Sequence, residues 1–283
     1  MKLETSEIKK GFKSLHSLND KVKFLKDKFK GEECYILTAG PSIKDYSSEY
    51  LKKKLKNKLV ISVKQTYDLV DDIVDFHLLN PFNYRVYDYK KNNPIVVMVN
   101  LLTFPKFTPN SKEDLRFFID RRKSNKKNSL AYNKNFDDYL LDNNLIRPFG
   151  PGIMYEIGIY LAVHLGVSSI NVLGWDLGEL KSNEIKRFYE NKGLLKKTEK
   201  KVINISPFLY NMIFIRFINL YNLLKYLMGY KFLLNNPGVS NKEASFIAQS
   251  TKQLYLWLKQ KKIYLFIISK KSMIDEIVPR KNL

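Results

Sequence analysis

The feature that most restricts the fold of this chain is an alternation of short apolar runs with helical stretches. The runs fall at residues 34–39, 59–63, 76–79, 95–99, 170–173 and 263–268. They are too short for helices and rich in Val, Ile and Leu, as strands buried on both faces are. Strands alternating with helices predict βαβ units and a parallel sheet covered on both sides. Two of the helices are predicted at 153–165, after Gly150-Pro151-Gly152, and at 242–260.

The remaining segments are placed by periodicity and polarity. At 5–30, Ile8, Phe12, Leu15, Leu18, Val22, Leu25 and Phe29 recur at steps of three or four among lysines, which predicts one basic amphipathic helix. Its stripe is expected to cover the core or a partner subunit in preference to a membrane surface. The stretch 105–144 is polar and reads as an irregular insertion at the sheet edge. The stretch 181–236 opens very basic, then turns aromatic and aliphatic at 208–228, interrupted by Asn211, Arg216, Asn219, Asn222 and Lys225. It reads as a helical, lid-like or membrane-contacting insertion. The expected organisation is an N-terminal helix at 1–32, an α/β domain from 33–180 with 237–283, and the insertion at 181–236.

Charge and cysteine usage narrow the partners and the compartment. The 49 Lys and Arg against 28 Asp and Glu leave a formal +21. Such an excess suits anionic partners: nucleic acid, an acidic leaflet or a phosphorylated substrate. The lone Cys34 lies in an apolar run and is expected to be a buried structural thiol in a reducing compartment. The start of the chain lacks the apolar stretch of a secretory signal, and no run approaches the roughly 18 apolar residues of a spanning helix. The cytoplasm is the expected location, with peripheral attachment to the inner face of the membrane left open.

Four motifs sit where strands end. Ala39-Gly40-Pro41-Ser42 follows the first strand, where backbone N–H groups at a strand-to-helix turn favour anionic oxygens. Neither a Walker A loop nor a G-x-G-x-x-G fingerprint occurs. Asn80, before Pro81, closes the third strand and is placed to bond a base or sugar. Arg147 through Gly152 opens a long helix with Gly150, Pro151 and Gly152, a second anion-accepting corner, and Glu156 follows in its first turn. Gly174-Trp175-Asp176 follows the strand at 170–173 and sets a carboxylate at the same edge, for a sugar hydroxyl or as a general base. No Asp-x-Asp triplet and no Cys–His cluster occurs, so no metal site is expected. His16, His77 and His164 read as packing residues.

Taken together these motifs resemble those of the bacterial sialyltransferases that cap lipooligosaccharides. In that family a Gly-Pro-Ser turn, an Asn-Pro, an Arg-x-x-Ser-Gly turn and a Ser-Gly-x-Asp come in the order of Gly40-Pro41-Ser42, Asn80-Pro81, Arg147 to Gly152 and Gly174-Trp175-Asp176. The family's Tyr-Ile-Gly-His-Ser, before its last helix, lines up with Phe246-Ile247-Ala248-Gln249-Ser250. The likeness covers roughly 33–180 and 243–275. It implies an α/β, Rossmann-like parallel sheet with helices on both faces and a helical lid-like insertion. It also implies sugar transfer from a CMP-sugar without a required cofactor. Gly40, Pro41, Ser42 and Gly150 to Gly152 would then hold the phosphate, Asn80 and Ser269 the base and ribose, and Asp176 the sugar side.

One departure matters. Gln249 stands where the family has a general-base histidine, and an amide takes no proton at neutral pH. The base is then Glu243, Glu156, Asp176 or Glu179, or the chemistry differs. Tyr189 and Tyr210 are candidates for the family's phosphate-binding tyrosines. The expected function is a metal-independent glycosyltransferase moving sialic acid, Kdo or a similar sugar from a nucleotide donor to a surface glycan or glycolipid precursor. The expected partners are that donor and acceptor, with contact to an anionic membrane and homo-oligomerisation left open. A pyrophosphokinase-like enzyme using ATP and magnesium is the alternative. Nucleic-acid binding, supported by charge alone, ranks below both.

Overall fold

The structure is a computed structural model that describes residues 5–79, 87, 89, 92–101, 114–119, 135–148, 152–177, 241–269 and 272–283. Helices α1 (Thr5–Lys13) and α2 (Leu18–Leu25) precede β1 (Glu33–Leu37). Then come α3 (Ser48–Leu55), β2 (Leu59–Val63), β3 (Phe76–Leu79), β4 (Ile95–Leu101), β5 (Leu115–Ile119) and β6 (Ile146–Arg147). A π-helical turn at Met154–Gly158 runs into α4 (Ile159–His164), followed by β7 (Ser169–Leu173), α5 (Asn241–Gln260) and β8 (Tyr264–Ile268).

The strands form one 8-stranded sheet in the order β6-β5-β4-β3-β2-β1-β7-β8, and every neighbouring pair is parallel. The expected α/β, Rossmann-like architecture is therefore present. Alternating side chains give the sheet two apolar faces. Cys34, Ile36, Ile61, Phe76, Val97 and Val172 share one core with residues of α1, α2, α4 and α5. Tyr35, Leu37, Val60, Leu79, Met98 and Leu173 share the other with Leu51 and Leu55 of α3.

The N-terminal stripe belongs to this core. Ile8, Phe12, Val22, Leu25 and Phe29 are buried to 2% exposure or less, on the order of 10 kcal/mol of gross burial. The stripe is carried by two helices and not by one. Ser17 ends the run by accepting the Asp20 N–H at 3.1 Å, an N-cap that starts α2 afresh. A second correction concerns 105–144: β5 lies inside it, paired with β4 in parallel register, so the stretch is not wholly irregular. The insertion at 181–236 lies outside the described residues.

Helix α4 runs antiparallel to the strands, which fixes which rim each of its ends occupies. Its C-terminus closes at Gly166 (φ +81), whose N–H reaches the Val163 carbonyl. There His164, Leu165 and Gly166 offer their carbonyls to the N–H groups of Asp27, Phe29 and Gly31, at the start of β1. Its beginning therefore lies at the opposite rim, where the strands end.

Candidate functional site

From β1 the chain builds outward to β6, then returns through α4 to place β7 on the other side of β1. The crevice between β1 and β7 is thus the point where strand order reverses, the place where open α/β sheets take their ligands. Beyond the strand ends the two chains stay joined. Thr38 N–H donates to the Leu173 carbonyl and Gly40 N–H to the Gly174 carbonyl, each at 2.8 Å. A Cβ on Gly40 would lie 2.1 Å from the Gly174 oxygen, and one on Gly174 (φ +78) 2.2 Å from the Thr38 oxygen. Only glycine fits at either position.

Pro41 then opens a 3-10 turn, Pro41–Asp45, and Ser42 meets Asp176. The Ser42 N–H donates to Asp176 Oδ2 and its hydroxyl to Oδ1, both at 2.7 Å. Asp176 is 4% exposed. Its own carbonyl accepts the Met273 N–H at 3.0 Å, and the Trp175 carbonyl accepts the Ser272 hydroxyl at 2.6 Å. The loops after β1, β7 and β8 are so tied into one unit. Two amides expected to face a phosphate, those of Gly40 and Ser42, are instead engaged within the protein, and the Asp176 carboxylate holds Ser42. Ala39, beside them, is half-buried.

The corner opened by Gly152 shares this rim. None of the described residues comes within 4 Å of where a side chain on Gly152 (φ +137) would project. Its carbonyl accepts the N–H groups of Tyr155 and Glu156. The Tyr155 ring packs edge-on against Trp175, centroids 5.9 Å apart. The Tyr155 hydroxyl accepts from Ser250 Oγ at 2.8 Å and shares a hydrogen bond with Thr251. Burial pushes it up to about 12, so it stays a neutral phenol. Gly40 and Gly152 therefore belong to the same edge of the sheet, and α5 reaches that edge too.

No family model matches the sequence, and no curated protein matches it. Among solved structures the chain is similar to a MAf glycosyltransferase from Magnetospirillum magneticum AMB-1, at 17% identity and a TM-score of 0.26. The match takes in 59% of this chain and 29% of that one.

The other expected residues separate into those at the rim and those used for bracing. Arg147 is 1% exposed and donates to three carbonyls: Nε to Glu156 at 2.7 Å, Nη1 to Asn144 at 2.8 Å and Nη2 to Tyr139 at 2.9 Å. Its guanidinium also lies 4.8 Å from the Tyr160 ring centroid. Burial lowers it to about 10, opposed by Tyr160 and then Glu156, so it remains charged at neutral pH. Arg147 braces the corner, and the buried Glu156 supports its charge. Gln249 lies inside α5 and not before it, exposed, with Ser250 and Thr251 turned to Tyr155. Glu243 stands in the first turn of α5, and Ser269 directly follows β8. Asn80, Gly150, Pro151, Glu179, Tyr189 and Tyr210 lie outside the described residues.

His77 is a packing residue, as expected. Its Nε2 meets the Lys64 carbonyl at 2.8 Å and its Nδ1 the Tyr89 hydroxyl at 2.9 Å. The His164 Nε2 meets the Val22 carbonyl at 2.7 Å. Cys34 is fully buried and its thiol is pushed well up by burial, next by Asp75.

Sequence reasoning missed Gln65. It follows Lys64 (φ +55) in the turn after β2. Thr66 locks that turn to β1 by donating its hydroxyl to the Leu37 carbonyl at 2.9 Å. Gln65 is 3% exposed, yet among the described residues neither its amide oxygen nor its nitrogen has a hydrogen-bond partner. Leaving a buried amide unmet costs free energy, so this donor–acceptor pair, one strand from Gly40, is a candidate polar anchor at the rim. A Gln two residues after the apolar run at 59–63 was the sequence signal.

Proposed function

We propose that the chain is a glycosyltransferase that binds its nucleotide-sugar donor in the β1/β7 crevice, with a CMP-sugar as donor and a glycan or glycolipid precursor as acceptor. The observation that carries this reading is the fusion of the Gly40 and Gly174 loops at the switch point, fixed by Asp176 on Ser42. The tie gives the crevice a rigid floor at the switch point, where open α/β sheets take their ligands. In this reading Gln65 bonds the base or ribose. The phosphate lies toward Gly152, where the described residues leave room and the buried Arg147 adds positive potential. Amides and hydroxyls stabilise the departing phosphate, with no cation required. Asp176 is a positioning carboxylate, since Ser42 occupies both its oxygens. Gln249 is an amide and cannot serve as the base.

A thermal-shift screen against CMP, UDP, GDP and ADP, together with ATP plus magnesium, tests this. A ligand at about a hundred times its Kd adds about 2.7 kcal/mol to the folded state. CMP is expected to raise the melting temperature by several degrees and Gln65→Ala to abolish that rise. A shift with ATP and magnesium alone would replace the transferase with a pyrophosphokinase. No shift with any nucleotide would remove the site.

A further inference from the structure

The segment Ser272 to Lys281 is built as a latch. At one end its backbone is fixed to the outer edge of the sheet: Ile267 N–H donates to the Pro279 carbonyl and Lys281 N–H to the Ile267 carbonyl, at 3.0 and 3.1 Å. From that anchor the Arg280 guanidinium reaches back over the preceding loop. Its Nη2 donates to the carbonyls of Ile274 and Ser272, at 2.7 and 3.4 Å, and its Nη1 to those of Val278 and Asp275, at 2.5 and 3.4 Å. A planar cation with a fixed fork of donors sets the course of a loop in a way a single ammonium cannot. At the far end of this loop, Ser272 and Met273 hold the carbonyls of Trp175 and Asp176. Asp176 in turn holds Ser42.

We infer that Arg280, an exposed side chain that donates to carbonyls of its own segment, is a positioning residue for the crevice. It acts through Ser272 and Met273 on Asp176, and through Asp176 on the Gly40–Ser42 turn. Its effect on ligand affinity rests on the proposed nucleotide site; its effect on the turn does not.

Two readouts keep these apart. Amide hydrogen exchange by NMR on the full chain follows Gly40 and Ser42, with Ile61 in β2 as the reference. Arg280→Ala is expected to speed exchange at Ser42 about tenfold, the factor that one or two lost hydrogen bonds supply, and to leave Ile61 unchanged. Arg280→Lys is expected to fall between. Ser272→Ala, which cuts the link to Trp175, is expected to match Arg280→Ala and keeps the test usable should the latter fold poorly. In parallel, the melting shift given by CMP is expected to shrink in Arg280→Ala. Unchanged exchange at Ser42 overturns the latch, and so does equal acceleration at Ile61, which marks a merely structural role. If wild type gives no shift with CMP, the nucleotide reading fails, and the exchange rates alone decide the latch.

Discussion

Asp176 accepts two short, charge-assisted hydrogen bonds from one residue, which separates its two conceivable roles by mutation. Asp176→Asn keeps the shape: its carbonyl oxygen can take the Ser42 N–H while its amide donates to Ser42 Oγ. The expected loss is about 1 kcal/mol in urea unfolding, with the CMP melting shift retained. Asp176→Ala leaves the Ser42 N–H unmet and is expected to lose about 2–3 kcal/mol and the shift with it. An Asn variant that binds CMP as wild type does but transfers no sugar would instead make Asp176 the base. The glycines on either side were legible as glycines, because turns at strand ends select them. Their mutual contact was not, because it arises only when β7 is laid beside β1, across more than a hundred residues of chain.

At the scale of elements, legibility followed position in the sheet. Strands β2 and β3 are buried on both faces, so their sequences are mainly apolar runs with clear ends, broken only by the buried Ser62 and His77. Strand β5 lies near the sheet edge and alternates buried with half-buried residues, Arg116 among them, inside a polar stretch; its run was too diluted to stand out. The break between α1 and α2 escaped notice because the apolar period continues through Leu15, which packs on the core while Ser17 caps the next helix. Arg147 is the clearest link between elements, joining β6 to the turn at 136–139 and to the π-helical turn. Arg147→Met would orphan three carbonyls and is expected to cost about 3 kcal/mol or more in urea unfolding, and Arg147→Lys to recover little, lacking the fork. Near-wild-type stability of the Lys variant would show that charge alone suffices.

For the whole molecule, the net +21 is unevenly shared: the described residues are close to balance, and most of the excess falls in 102–113, 120–134 and 178–240. The sheet's stability against pH is therefore set by a few particular carboxylates. Glu33 is lowered by hydrogen bonds from Lys58 and Lys281. Its contribution is present above the ordinary carboxylate range and is lost as pH falls through and below it. The pairs are half-exposed, so Glu33→Gln is expected to cost no more than about 1 kcal/mol at neutral pH, and nothing in strong acid. Asp114 has the opposite sign. Burial raises it, against Lys9, Arg116 and Lys21 and a hydrogen bond from the Val96 N–H. The folded chain then holds this proton more tightly than the unfolded one, so the ionised form costs stability once pH climbs through the interval between its ordinary and raised values. Asp114→Asn keeps an acceptor for Val96 and removes the charge, and is expected to be more stable than wild type at neutral pH and equal to it in acid. Urea midpoints across a pH series check both variants. A neutral-pH loss in Asp114→Asn would mean that the three cations around Asp114 outweigh its desolvation, and that α1 and α2 are held to the sheet by charge as well as by their apolar stripe.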